Sequence, residues 1–161
     1  MDINKRMQDA FNQQITKEFY AANVYLSMAF WFRKEGWKGF ASWMLKQAEE
    51  EKAHALDMAN FVLDRGGVVE IDTIEAVKAE FAGPKEVFEE AMAQEKRTTE
   101  YINQLADVAD QEGDRAAQNF IGRYIDEQVE EEKTMRDILN LFRHRDGHTV
   151  ANIDDILNTR A

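Results

Sequence analysis

The 161-residue chain has no cysteine, so disulfides, zinc–thiolate sites and iron–sulfur clusters are excluded, and any metal must be held by oxygen and nitrogen. It has one proline, Pro84, and eight glycines, so breakers are scarce enough for long helices. No apolar run approaches the ~20 residues of a membrane span, and Met1-Asp2-Ile3-Asn4-Lys5-Arg6 lacks the apolar core of a signal peptide. The expected location is the cytoplasm, with no membrane partner. Basic residues are outnumbered by acidic ones, 20 to 31, for a net charge of −11; this argues against nucleic acid as a partner and for attraction of cations. The length suits a single domain over 1–161 with one hydrophobic core.

The few breakers divide the chain regularly. Apolar residues Met7, Phe11, Ile15, Ala22, Leu26, Ala29 and Phe30 recur at threes and fours and stop at Glu35-Gly36, predicting a helix over about 3–34. A second, about 38–65, ends at Gly66-Gly67, where glycine supplies the left-handed termination a side chain resists. Residues 66–83 carry Val68, Val69, Ile71 and Ile74 without helical period and read as a long crossover. Pro84 suits the first turn of a third helix, about 85–112, bearing Phe88, Ala91, Met92, Glu95, Thr99, Ile102, Leu105 and Ala109. After Gly113, Asp114 is placed to cap a fourth helix, about 114–145, with Ala117, Phe120, Tyr124, Gln128, Glu131, Met135, Ile138 and Phe142 on one face and Gly147 beyond. A short amphipathic helix, about 152–158, follows with Asn152 as its candidate cap. Two short helix connections flanking a long one describe an all-α four-helix bundle of two hairpins.

One stripe is unusual. Phe40, Met44, Gln47, Glu51, His54, Met58 and Phe61 share a face of the second helix, so a carboxylate and an imidazole three residues apart sit side by side within an apolar stripe. This E-x-x-H spacing serves carboxylate-bridged metal sites, and alone it is weak. Glu18, Glu95 and Glu131 interrupt the other three stripes in the same way. Glu18 lies 18 residues before Gly36 and Glu51 15 after it, while Glu95 and Glu131 each lie 18 from Gly113. At ~1.5 Å rise per residue, each pair matches in height within about 5 Å. Four carboxylates and one imidazole then converge on one layer, which repels itself unless cations sit within it. Oxygen-rich ligands with one histidine fit iron or manganese better than structural zinc.

Neighbouring residues admit two readings each. Glu50, Glu127 and Glu130 adjoin the inner carboxylates off the stripe, as a solvated surface or an accessory metal position. Tyr25, one heptad beyond Glu18, is a core tyrosine or a redox-active or hydrogen-bonding neighbour. His144 and His148 are surface residues near a helix end, and the cluster Phe30, Trp31, Phe32, Trp37, Phe40, Trp43 reads as packing or subunit interface. Trp31, Trp37, Trp43, Val68, Val69 and Ile71 exceed what four core stripes absorb, so the expectation is a subunit contact.

Taken together, Glu18-Phe19-Tyr20, Glu50-Glu51-Lys52-Ala53-His54, Glu95 and the run Tyr124 to Glu132 resemble non-haem bacterial ferritin, over essentially the whole chain. The resemblance implies a ferritin-like bundle and a ferroxidase centre with one iron at Glu18, Glu51 and His54 and a second at Glu51, Glu95 and Glu131, Glu51 bridging. It also implies that Gln128 and Tyr25 stand beside the centre, and that Glu50, Glu127, Glu130 and Glu131 form a third iron position. Ferrous iron would be oxidised by dioxygen or hydrogen peroxide and stored as mineral in a homo-oligomeric shell of twenty-four subunits. The departures matter as well. Bacterioferritins repeat E-x-x-H on the fourth helix and ligate haem through a methionine after the bridging glutamate; here those places hold Glu130 and Lys52, so no haem is expected. Rubrerythrins add a cysteine-bound iron domain that this chain cannot have. Animal ferritins line threefold pores with carboxylates where this chain has Gln118 and Ile121. Besides iron storage, a soluble di-iron oxidoreductase acting on peroxide or a small substrate and a purely structural bundle are the other readings.

Overall fold

A computed structural model describes residues 1–144 and 149–159, and among these every regular element is a helix. They are α1 (Lys5–Glu35), α2 (Lys38–Asp64), α3 (Pro84–Gln111), α4 (Arg115–Arg143) and α5 (Val150–Leu157). The expected stop at Gly147, the end of the fourth helix at 145 and His148 lie outside the described residues. Local chemistry explains the ends. Asn4 caps α1 by accepting from Met7 N, Asp114 caps α4 by accepting from Ala117 N, and Gly36 closes α1 in the left-handed region at φ 87°. The two glycines after α2 do different work. Gly66 takes φ +73°, whereas Gly67 is required by space, since a Cβ there would stand 2.7 Å from Val62 Cγ1.

α1 packs along α2, α3 along α4, and α1 against α3. The crossover climbs α1 rather than crossing open solvent. Val68 N donates to Gln8 Oε1, Asn12 Nδ2 to Val68 O, Asp72 N to Thr16 Oγ1 and Ser27 Oγ to Lys78 O, so one polar face of α1 satisfies its backbone. Arg65, at the end of α2, grips both oxygens of Asp114 at 2.8 and 3.0 Å and joins the two hairpins.

The core is two apolar clusters. One holds Tyr25, Met28, Phe32, Phe40, Phe88, Met135 and Phe142. The other, toward the chain's start, holds Met7, Phe11, Ile15, Met58, Ile102, Phe120 and Tyr124. Between them lies the layer to which Glu18, Glu51, Glu95 and Glu131 belong.

Several sequence expectations change here. Trp31 and Trp43 are buried within the first cluster, Trp31 edge-on to Phe81 of the crossover, so they are no surplus for a subunit contact. Phe30 is turned out to solvent, because the adjacent Trp31 and Phe32 take the inward positions. α5 is capped by Thr149, with Asn152 as the reciprocal partner three residues on, not as the cap. α5 also finishes α2: Asp154 Oδ1 accepts from Phe40 N at 2.7 Å, where Trp37 offers no side-chain cap. Gly39 permits that approach, since a Cβ there would lie 2.0 Å from Asp154 O. Ile121 is buried in the second cluster, and Gln118 Nε2 donates to Asp110 Oδ1.

Candidate metal centre

Each of α1 to α4 brings one carboxylate to the layer from near the middle of its length, and all four are buried: Glu18, Glu51, Glu95 and Glu131. The layer has two unlike halves. In the first, oxygen atoms of Glu18 and Glu51 and a ring nitrogen of His54 lie within 4.8 Å of one another. His54 Nδ1 is 3.3 Å from Glu51 Oε2 and 3.9 Å from Glu18 Oε2, while Nε2 is 2.9 Å from Glu127 Oε1. Glu18 Oε1 accepts from Gln14 Nε2 at 3.0 Å, but Glu18 Oε2 is buried with no hydrogen-bond partner. An unmet carboxylate oxygen in a dry interior costs several kcal/mol, and a cation bound there offsets it. The orphaned oxygen, a second carboxylate and a near imidazole therefore fit a divalent ion of iron's type.

The second half is satisfied internally. Tyr25 OH donates to Glu95 Oε1, Gln128 Nε2 donates to Glu95 Oε2 at 3.1 Å, and Gln47 Nε2 donates to Glu131 Oε2 at 3.1 Å. Tyr25 is thus buried and hydrogen-bonded to the layer, rather than only packed beside it.

Burial sets the electrostatics. Burial, followed by the charge of Glu51, pushes the Glu18 carboxyl well above the usual range; burial and Glu95 do the same to Glu51. Burial raises Glu95 against the opposing pull of its Tyr25 and Gln128 hydrogen bonds, and burial with the Glu95 charge pushes Glu131 up to about 7. Burial pulls His54 down, yet its hydrogen bond to Glu127 and the charge of Glu18 leave it raised on balance. That same hydrogen bond holds Glu127 below its ordinary value. Tyr25 and Tyr124 are both raised, chiefly by burial, and stay protonated donors. Burial thus disfavours the ionised carboxylates that a bound metal would favour.

The outlying residues separate. Glu127 is half-buried and reaches His54, Glu50 is half-buried and adds its charge to that felt by Glu131, and Glu130 is exposed on the outer side of α4. His144 is exposed. Sequence periodicity missed Gln14, whose four-residue offset from Glu18 was a usable signal, and Asp57, which accepts from Tyr124 OH at 2.5 Å.

Comparison with known proteins agrees with this arrangement. A family model described as a ferritin-like domain matches residues 8–144. A bacterial non-heme ferritin of Bacteroides fragilis (strain 638R) is 39% identical over 158 residues, covering 98% of this chain and 99% of that one. Another, of Staphylococcus aureus (strain USA300), is 34% identical over 138 residues, covering 86% and 83%. Among solved structures, an open pore ferritin from the hyperthermophilic archaeon Archaeoglobus fulgidus superimposes with a TM-score of 0.94 at 39% identity, covering 99% of this chain and 98% of that chain. With four buried carboxylates on four helices, a crossover along α1 and these relatives over its length, the chain belongs to the ferritin family.

Proposed function

We propose that the protein stores iron, taking up ferrous ions at the buried layer, oxidising them there and retaining the ferric product as mineral inside a homo-oligomeric shell of twenty-four chains. The observation that carries this reading is Glu18 Oε2, buried without a hydrogen bond and set beside Glu51 and His54 within 4.8 Å in the interior of a ferritin fold. Glu18, Glu51 and His54 hold the first ferrous ion, and Glu51 is shared with a second held with Glu95 and Glu131. At the second position Tyr25 and Gln128 each donate to one Glu95 oxygen and Gln47 donates to Glu131 Oε2 alone, and the ion takes the lone pairs these donors leave. Each ferrous ion gives up one electron, so a pair supplies the two that reduce dioxygen to hydrogen peroxide, or peroxide to water. Glu50, Glu127 and Glu130, with Glu131, belong to a more solvated accessory position between α2 and α4.

The test is Glu51→Ala combined with His54→Ala. We expect rapid ferrous oxidation, followed by absorbance after anaerobic loading and mixing with dioxygen, to vanish, while the metal-free shell assembles as before. Removing charge from a crowded interior does not remove packing. Wild-type rates in the double mutant would refute the site. Mass and iron content of an aerobically loaded sample separate storage from a soluble di-iron oxidoreductase, which would hold about two irons per chain and no mineral.

A further inference from the structure

We infer, on the reading that the layer holds two ferrous ions, that the buried glutamines Gln14 and Gln47 are positioning residues, Gln14 for Glu18 at the first ion and Gln47 for Glu131 at the second. Gln14 precedes Glu18 by one turn of α1, and a four-residue offset sets two side chains next to each other on one helix face. Its Nε2 donates to Glu18 Oε1 at 3.0 Å, while the other oxygen, Oε2, stands 3.9 Å from His54 Nδ1 in the group formed with Glu51. Gln47 works across the bundle: from α2 its Nε2 reaches Glu131 Oε2 on α4 at 3.1 Å. Each carboxylate is thereby held at one oxygen, which limits its rotation, and it keeps lone pairs for an ion.

The kind of donor matters. Gln14 is 2% exposed and Gln47 1%, so water does not take over either hydrogen bond. Burying an amide is costly unless it is hydrogen-bonded, and an apolar side chain would fill the same space without that cost. A lysine or arginine at either place would donate more strongly, but its positive charge would neutralise the carboxylate and repel the ion. A neutral amide fixes the carboxylate and leaves its full charge to the metal. Among the described residues no lysine or arginine pairs with Glu18 or Glu131. Hydrogen-bonding partners of metal ligands orient them and set affinity in this way. Because the two amides serve carboxylates of different ions, their effects are separable, which a shared packing role would not allow.

The test uses the assembled metal-free protein titrated anaerobically with Co(II), a spectroscopic stand-in for ferrous iron, by calorimetry and visible absorption. The absorption lost in His54→Ala marks the first site, since only that site has an imidazole ligand. Gln14→Leu and Gln47→Leu keep most of the bulk and remove the donor. Gln14→Met and Gln47→Met are carried beside them, so that a failure of leucine to pack does not remove the comparison. We expect Gln14→Leu to weaken the first site by about 10- to 100-fold and leave the second at its wild-type affinity, and Gln47→Leu to do the reverse. The methionine variants should behave as the leucine ones do. Equal weakening of both sites by either variant would overturn the inference, since a packing role loosens the layer as a whole, and so would wild-type affinities throughout. A wild-type protein that binds fewer than two Co(II) per chain would overturn the metal reading itself, and this inference with it.

Discussion

The buried layer and the apolar cluster above it occupy equally dry parts of one bundle and act on it in opposite ways. In the cluster, Phe32, Phe40, Phe88 and Phe142 meet ring to ring at 5.0–6.0 Å, contacts that stabilise whenever the chain folds. In the layer, four carboxylates face one another and one oxygen, Glu18 Oε2, has no hydrogen-bond partner. Interiors of this kind are sustained by the surrounding packing, and they stabilise only when a cation is present. The clusters thus hold the helices in register while the layer spends part of that stability on a binding site.

The largest expected effect breaks this comparison directly. Phe88→Ala removes a fully buried ring that touches Phe32, Phe40, Trp43 and Phe142, and should cost about 3–5 kcal/mol in the metal-free protein. Glu18→Gln keeps the size and the Gln14 contact but removes the need to hold a proton or bear a charge, so it should raise metal-free stability at pH 8. Chemical denaturation of both variants decides the matter. If Glu18→Gln unfolds as readily as Phe88→Ala, the layer is a structural element and not a burden.

A smaller effect sharpens the same contrast through pH. Glu131 goes from 4.5 in the unfolded chain to about 7 in the fold. Below 4.5 both states hold the proton; between these values the unfolded chain releases it while the folded chain retains it, so stability falls as pH rises through the window and levels off above it. This one group accounts for a loss on the order of 3 kcal/mol. Glu18, Glu51, Glu95 and His54 are raised as well and act in the same direction, while Glu127, held low by His54, acts only below its ordinary 4.5 and outside this window. The denaturation midpoint of metal-free protein should therefore drop from pH 5 to pH 8. With Co(II) or Zn(II) present the trend should reverse, because the ions displace those protons. A metal-free midpoint that rises over that range would show the layer is ionised and compensated without metal.

Much of this was legible from periodicity, for a physical reason. A helix repeats every 3.6 residues, so a polar residue on an apolar stripe is visible without knowing what it touches, and Glu18, Gln47, Glu51, Glu95, Gln128 and Glu131 all stood out in that way. Scarce glycine and the single proline marked the turns. Contacts between helices were not legible, because they depend on how each helix is rotated against the others. Tyr25 on Glu95, Glu127 on His54 and Tyr124 on Asp57 all cross helices. Asp154 capping α2 joins residues 114 apart, and the burial of Trp31 and Trp43 needed Phe81 and α5, which four stripes alone do not supply.

The smallest effect on the fold concerns the crossover, where the comparison extends to the surface. Val68 and Ile71 are each 57% exposed, whereas Val69 is half-buried and packs on the second cluster. Their backbone is already held by Gln8, Asn12 and Thr16, so the outward side chains at 68 and 71 add little to the isolated fold. A short β-branched segment exposed beside a helix is suited to meeting its own copy across a twofold axis. Replacing Val68 and Ile71 with glutamate should leave the unfolding free energy of the isolated chain within about 0.5 kcal/mol. In a twofold contact the same substitutions set like charges against each other and should shift the assembly to smaller species. Val69→Glu, by contrast, buries a charge against the second cluster and should destabilise the chain itself. Size-exclusion chromatography with light scattering separates these outcomes, and an assembly of unchanged mass in the Val68 and Ile71 double variant would show that the crossover faces solvent and not another chain.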